Sequence, residues 1–564
     1  MILHQTIYYY ILLHWSILVS FFSELLITSA LQHTQQHLLV KLSKRLDFTQ
    51  LDQIACAYHH SQGAGAPVIH HSSRLVRIIL VKYLYKLSLR QTEERLWSDL
   101  LVRWFVGLSM YDSPPDHTTL ERFEMWLNKN QHEAIFDEIL HQIDQDFPEE
   151  HTKTQIGDTY AMRANAARKD LLPLIRETCK DVIQLAINTI PYQFENSLSG
   201  FEWTDLFGIH KEPLMFAMTE GQRAQRLQQV VLAALDLQMH LSVILEARPL
   251  KELPELRKRL SNLQKIISDE VLVQEKTVQR LQPKEQGSYR IGSASDPEAT
   301  YRKHGSEPED TTFGYNIQVA VSTSGFVRST KAYTGAFSDR AGVAALISVQ
   351  KERQGFYPPK FIYDQAAGCG KTRAEVEQAS HGQTLLVSRL PPFERRTELF
   401  GPYDFTLSED GKTLTCPNGK STNVSYAAGG GEGRDFRFSD YLCWHGQPPK
   451  GKKAPELAQR CPLWQHCRKA DQGPRTNRKV FISFYRKQVL AAQQYNQTNA
   501  FDQEMKMRPE VERIIFELTN YNDARNCRRR GLQNADWQAQ MCATACNIKR
   551  WMRRFLTPRL ECAS

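Results

Sequence analysis

What most constrains this chain is a series of short strand patterns, two carrying an aspartate at their end, separated by stretches that cannot be strands. QIGDTYAMRANA (Gln155–Ala166) reads as a short strand ending in an aspartate and followed by small residues. After Gln286, FGYNIQVAVS (Phe313–Ser322) and FVRSTKAYTG (Phe326–Gly335) flank Thr-Ser-Gly, a hairpin pattern. DRAGVAALISVQKERQG (Asp339–Gly355) is an amphipathic helix, and KFIYDQAAGCG (Lys360–Gly370) is an apolar strand ending at Asp364 and a glycine-rich turn. TRAEVEQAS then reads as a helix and TLLVSRL (Thr384–Leu390) as a strand. In a mixed sheet of this order the first and fourth strands lie side by side, so Asp158 and Asp364 meet in one cleft. A single turn aspartate is common; the matched pair carries the weight.

A late stretch, MRPEVERIIFELTN (Met507–Asn520), supplies a further acid. Pro509 suits a first helical turn, where its missing N–H is not needed. Val511, Ile514, Ile515 and Leu518 form the apolar face. Glu512 flanks that face on one side, a turn after Arg508; Glu510 and Glu517 flank it on the other, near Arg513. Periodicity does not choose among the three, and a charged helix edge is usually only solvated.

At 564 residues the chain is too long for one core. Its 41% hydrophobic and 24% charged residues describe a globular protein, and the net charge of +9 permits nucleic acid without demanding it. The expected units are a helical unit over 34–150, whose short helices and scattered cations fit a DNA-binding domain or a plain helical bundle, and a strand-bearing core from 151–166, 286–400 and 477–551. Two insertions separate its pieces: a helical, coiled-coil-like one over 167–285, where Leu253, Leu256, Leu260, Leu263 and Ile267 alternate three and four apart, and a Cys-containing one over 401–476. Capping boxes are predicted at Ser88–Gln91 and Thr118–Glu121, and a helix over Trp97–Leu108. Residues 552–564 form a tail. The apolar Ile7–Leu31 carries His14 and Glu24 and no cation precedes Lys41, so residues 1–33 read as an extension outside the working protein rather than a signal or membrane span. Eleven cysteines in a long chain fit reduced thiols and a cytoplasmic, nucleoid-associated protein.

Cys416, Cys443, Cys461 and Cys467 gather within the 401–476 insertion, with His445 and His466 beside them. Four cysteines suffice for tetrahedral Zn²⁺, yet paired CxxC knuckles are missing. Zinc and a loop-rich β insertion with buried thiols are both open.

Two strand-end aspartates and a helix glutamate are hard oxygen ligands suited to Mg²⁺. Paired ions of this kind serve phosphodiester chemistry, and no Cys or His nucleophile is required. Arg508, one turn from Glu512, suits that carboxylate or a DNA phosphate.

These motifs resemble the DDE transposases of bacterial insertion sequences, the branch with an InsH-type N-terminal domain, over most of Ser72–Trp551. SLRQTEERLWSDLLVRWFVGL with PDHTTLERFE is similar to that N-terminal domain, and GDTYAMRANA to the first-aspartate motif. SDPEA with GYNIQVAV resembles the second-strand region, FIYDQAAG the second-aspartate motif, and RPEVERIIFEL with RRRGL and NIKRW the glutamate helix. The resemblance implies an α+β multidomain chain with an RNase H-like mixed-sheet core. It also implies Asp158, Asp364 and Glu512 as catalytic Mg²⁺ ligands, with Mn²⁺ able to substitute. Within RPEVER it selects Glu512 over Glu510. The implied reaction is cleavage at terminal inverted repeats of double-stranded DNA, then strand transfer into target DNA, by a homodimer in the DNA complex and away from membranes. Relatives often place Tyr and Lys where this chain has Met505 and Thr519, and Gly-Tyr where it has Gln-Ala-Ala after Asp364. DNA contact would then fall to Arg508, Arg513, Arg525, Arg528, Arg529 and Arg530, since phosphate needs charge more than identity. The alternative is a catalytically impaired, transposase-derived DNA-binding protein.

Overall fold

The computed structural model describes residues 25, 27–60, 68–197, 206–207, 218–249, 251–303, 305, 310–392, 399–443, 461–468 and 477–554. Of the Ile7–Leu31 stretch they include only residues 25 and 27–31, and the tail beyond 554 and His445 lie outside them.

The leading helices are α1 (Leu38–Arg45), α2 (Thr49–His60), α3 (Ser72–Leu84), α4 (Leu89–Ser98), α5 (Leu100–Val106), α6 (His117–Asn130) and α7 (Ala134–Asp146). The Ser88–Gln91 capping box forms as predicted. The helix expected over Trp97–Leu108 is instead broken at Asp99, whose side chain accepts from Leu101 N and Val102 N and so caps α5. The box expected at Thr118 gives way to Asp116, which accepts from Thr119 N at 2.6 Å, two residues earlier. One carboxylate there already satisfies the helix's third amide.

The central sheet has six strands: β1 (Gln155–Arg163), β4 (Thr300–Lys303), β5 (Thr311–Ser322), β6 (Val327–Thr334), β7 (Lys360–Ile362) and β8 (Leu385–Val387), in the order β4-β5-β1-β7-β8 with β6 also on β5. β5 pairs antiparallel with β1 along all of β1, while β7 pairs parallel with β1 only at Gln155 and Ile156. The Thr-Ser-Gly hairpin forms, with Gly325 at φ +86° donating to Ser322 O. Alternation divides the sheet's faces. Ile156, Tyr160, Met162, Ile317, Val319 and Val321 face one core, and Phe361, Tyr363 and Ala320 face another. The second face is covered by α12 (Val343–Gln354) and α13 (Gly370–Ala379).

The first face is covered by α17 (Pro509–Phe516), α18 (Leu532–Arg554) and the leading helices, all in one continuous core. The helices of 34–150 therefore share the sheet's core rather than standing apart. Buried charge fastens the joint. Arg328 of β6, fully buried, forks onto Asp144 of α7 at 2.6 and 2.7 Å. Lys82 of α3 meets Glu124 of α6 at 2.6 Å.

The 167–285 insertion has its own core from α8 (Leu171–Thr189), α9 (Pro191–Ser197), α10 (Glu220–Glu246) and α11 (Pro254–Glu270). Leu256, Leu260, Leu263 and Ile267 are buried as their spacing predicts. Leu253 lies outside the helix at φ +54°. Two departures follow from packing: α8 joins as a third partner, so the unit is more than a two-helix hairpin, and β2 (Val271–Gln274) with β3 (Thr277–Arg280) forms a hairpin in a stretch expected to be helical. α10 is long and apolar enough to cross a membrane by length and composition, but Val230, Ala234, Leu237 and Leu241 are buried in this core.

The second insertion is built of β9 (Thr406–Leu407), β10 (Leu414–Thr415), β11 (Ser421–Thr422), β12 (Ser425–Ala428), β13 (Gly433–Phe438) and a short α14 (Trp464–Cys467). β14 (Arg478–Ser483) pairs with β13, so this unit takes a strand from beyond 476. α15 (Arg486–Tyr495) and α16 (Asn499–Met505) then lead back to the core.

Replacing Asp144 by Ala strands the Arg328 guanidinium and is expected to cost about 3–5 kcal/mol, read from urea unfolding midpoints. Asp144→Leu with Arg328→Met should recover much of the loss. A single variant within about 0.5 kcal/mol of the parent would mean that this pair does not hold the helices to the sheet.

Candidate active site

Asp158 is not at a strand end. It is the fourth residue of β1, because pairing with β5 continues to Arg163. What ends beside it is the parallel ladder to β7, at Ile156 and Ile362. Carrying that register two residues further sets Asp158 beside Asp364, on the same face. Tyr363 N donates to Val387 O at 3.0 Å, which keeps the chain extended up to Asp364. Asp364 then caps the turn Gln365–Ala367, accepting from Ala366 N at 3.0 Å.

α17 packs against β1 and β5 and brings the third acid. Pro509 occupies its first turn and Val511 and Ile514 are buried, as the pattern predicts. The helix then widens into a π turn over Glu517–Tyr521. Partners now separate the three eligible glutamates. Glu510 pairs with Arg513, and Glu517 meets Arg550 of α18 at 2.8 Å. Glu512 takes Arg508 Nη1 at 3.0 Å, while Arg508 Nη2 reaches Asp158 Oδ2 at 3.3 Å. One guanidinium thus bridges the central strand and the helix. Asp158's side chain is 16% exposed and Glu512's 56%, so the site opens on the helix side.

Burial is the main cause pushing the carboxyls of Asp158 and Asp364 above the usual range. For Asp158 the charges of Asp364 and Glu512 add to the rise, against the Thr159 amide and Arg508. The oxygen donors fit a hard divalent ion. Among the described residues, however, no three His, Cys, Asp or Glu side chains are drawn close enough to hold an ion as they stand; the Arg508 guanidinium lies between two of the acids instead.

Sequence reasoning missed Asp339, taken there as the first residue of a helix that begins at Val343. It is held by Asn316 Nδ2 at 2.6 Å and Arg302 at 3.5 Å, and its charge raises Asp364. Nothing in its sequence context marks it.

The basic run divides. Arg528 pairs with Asp523 at 2.6 Å, donates to Leu87 O and lies over the Tyr83 ring, while Arg529 meets Glu121 and Glu124 at 3.4 and 3.3 Å. Both are committed to the joint with the leading helices. Arg525 and Arg530 are exposed at the rim, Arg530 donating to Asn165 O.

A mixed sheet carrying adjacent aspartates, with a glutamate on a helix across its face, is compatible with an RNase H-like core. Two stretches of the chain match known families: residues 28–125 match a transposase domain, and residues 415–552 match the transposase DDE domain. No curated protein and no solved structure matches. Both matched models are transposase models, and together they support a DDE transposase of the insertion-sequence type. Glu512 and the four insertion cysteines lie inside the second match; Asp158 and Asp364 lie outside both.

Gly157, next to Asp158, faces the other core. A Cβ there would stand 2.6 Å from Phe361 Cζ and 2.7 Å from Tyr363 Cδ2, the residues that lead into Asp364. Gly157→Ala is expected to cost about 1–3 kcal/mol by overpacking, read from thermal or urea unfolding. An unchanged midpoint would show that β7 tolerates displacement at this point.

Proposed function

We propose that the chain cleaves DNA at the ends of its own transposable element and joins the freed 3′ ends to target DNA. The observation that carries this is the convergence of Asp158, Asp364 and Glu512 around Arg508, from three elements far apart in sequence. Asp158, Asp364 and Glu512 are the residues to hold Mg²⁺ or Mn²⁺. When bound, such ions activate the attacking oxygen and stabilise the leaving one. In the cleavage step water attacks the phosphorus and the 3′ oxygen leaves; in the transfer step that 3′-hydroxyl attacks a target phosphodiester and displaces a target 3′ oxygen. Asp158 sits on the rigid central strand and fixes the site's position. Glu512 sits on the open side, where DNA enters. Arg508 balances the acids' charge and lies within reach of a phosphate at the same mouth. Exposed Arg525 and Arg530 extend the cationic surface along the rim. Double-stranded DNA is the partner, and a homodimer is the assembly that holds two element ends at once.

Asp158→Asn, Asp364→Asn and Glu512→Gln are each expected to abolish Mg²⁺-dependent cleavage of a fragment carrying the terminal inverted repeats, with DNA binding retained by gel shift. Glu510→Gln and Glu517→Gln should cleave like the parent. Cleavage by Asp158→Asn at the parental rate would overturn the assignment, and a parent that binds but never cleaves would favour the catalytically impaired reading. Separately, Arg525→Ala and Arg530→Ala should each weaken DNA binding and reduce the slope of log affinity against log salt by about 1, whereas Arg528→Ala should act mainly on stability. Equal slopes for parent and rim variants would remove Arg525 and Arg530 from the interface.

A further inference from the structure

The second insertion contains chemistry that DNA cleavage does not use. Cys416, Cys443, Cys461 and Cys467 come from four separate points of the chain and line one cavity of about 30 Å³, walled by Trp464 and phenylalanine rings. Two of them open Cys-Pro turns. In the first, Gly419 (φ +75°) donates to Cys416 O at 2.9 Å, and the Lys420 amide donates to Cys416 Sγ at 3.3 Å. In the second, Trp464 N donates to Cys461 O at 2.9 Å, and the Leu463 amide bonds the Cys461 sulfur. Cys461 N also donates to Cys443 O at 2.9 Å, which ties the second turn to the third cysteine. Arg468, 3% exposed and stacked on Trp464, donates from Nη2 to Cys443 Sγ at 3.5 Å. Burial pushes the Cys467 thiol up, and the charges of Arg478 and Arg468 act against that rise.

Three of the four sulfurs thus take a donor, the Lys420 amide on Cys416, Arg468 on Cys443 and the Leu463 amide on Cys461, partners of the kind that orient sulfur ligands around a metal, while burial pushes the Cys461 and Cys467 thiols up in the absence of an ion. Buried Arg468 and half-buried Arg478 also suit the double negative charge that four thiolates leave around a divalent ion. The unit has a stability problem that such an ion solves. Three of its strands are two residues long, and its core rests on few buried side chains, chiefly Phe405, Leu414, Phe436, Phe438, Val480 and Ile482.

We propose that Cys416, Cys443, Cys461 and Cys467 bind one structural Zn²⁺ as a tetrathiolate that holds the insertion together. As they stand the sulfurs surround the cavity without meeting at a common point. Zinc draws them together, releasing the thiol protons, and its binding energy becomes folding energy of the unit. Sulfur alone completes the tetrahedron, so neither His466 nor water is needed.

The test uses the full chain, purified reduced and without chelator. Metal analysis should find about one zinc per chain. Cobalt substitution should give the thiolate-to-cobalt charge-transfer absorption of a four-sulfur site. The double variant Cys416→Ser/Cys461→Ser should lose the metal, and Cys56→Ser should keep it. If the double variant fails to fold, titration of the metal-stripped parent with Co²⁺, followed by displacement with Zn²⁺, decides by the same spectrum. A metal-free parent without cobalt absorption, zinc retained by the double variant, or a disulfide between any two of the four in the native protein would each overturn the proposal. Each of these outcomes is read from metal content, absorption or disulfide formation and none from cleavage, so this reading and that of Asp158, Asp364 and Glu512 fail separately.

Discussion

The site depends on the two unlike partnerships of β1. On one side β5, buried over most of its length, pairs with it along its whole length, which anchors β1 in the sheet. On the other side β7 pairs with it at two residues only. Past that point the strands keep their parallel course without cross-strand bonds. The gap leaves Asp158 and Asp364 side by side with their carboxylates free of the ladder. A longer β7 ladder would keep its chain in the sheet and deny Asp364 the turn it caps. A shorter one would leave its distance from Asp158 unfixed.

Charge placed so close together needs compensation, and Arg508 supplies it. Its guanidinium contacts an acid on the central strand and another on its own helix, so α17 is held to β1 by electrostatics as well as by Val511 and Ile514. Such a pairing is worth little on an exposed surface. Here Asp158 is largely buried and repelled by its neighbours, so the cation relieves an existing cost. The downstream arginines follow a different logic: Arg528 and Arg529 tie the return of the chain to α3 and α6, and only the rim residues keep charge for solvent.

Much of this was legible in the sequence because it is local. Strand periodicity located β1, β5, β6, β7 and β8, and the apolar stripe placed α17 in its correct phase. The choice among Glu510, Glu512 and Glu517 was not legible from periodicity, since it turns on tertiary contacts: Arg550 takes Glu517, and Arg508, the partner of Glu512, reaches Asp158. Asp339 was invisible for the same reason. The break at Asp99 and the cap at Asp116 were misread because an aspartate's role as a cap depends on where the helix begins, which a hydrophobic pattern fixes only to within a turn. The basic run near Arg528 looked solvated or DNA-facing because charge gives no hint of burial; its partners, Leu87 O and the Tyr83 ring, lie more than four hundred residues away in sequence.

The position of the second insertion gives it a bearing on the site that its sequence does not suggest. It leaves the core after β8 and returns through β14, which pairs with β13 inside the insertion, before α15, α16 and α17 follow in direct succession. The returning chain is caught at Lys360, the first residue of β7, by Glu504 of α16, which also accepts from Tyr495 Oη at 2.7 Å. β7 delivers Asp364 four residues after that contact, and α17 delivers Glu512 eight residues after Glu504. A single ion pair therefore registers the two arms of the site against each other. Loss of order in the insertion would loosen β14 first, and α15 and α16 would carry that slack toward the Glu504 contact. On this path the insertion bears on where Glu512 stands relative to Asp364, while Asp158, paired to β5 along the whole of β1, does not depend on it.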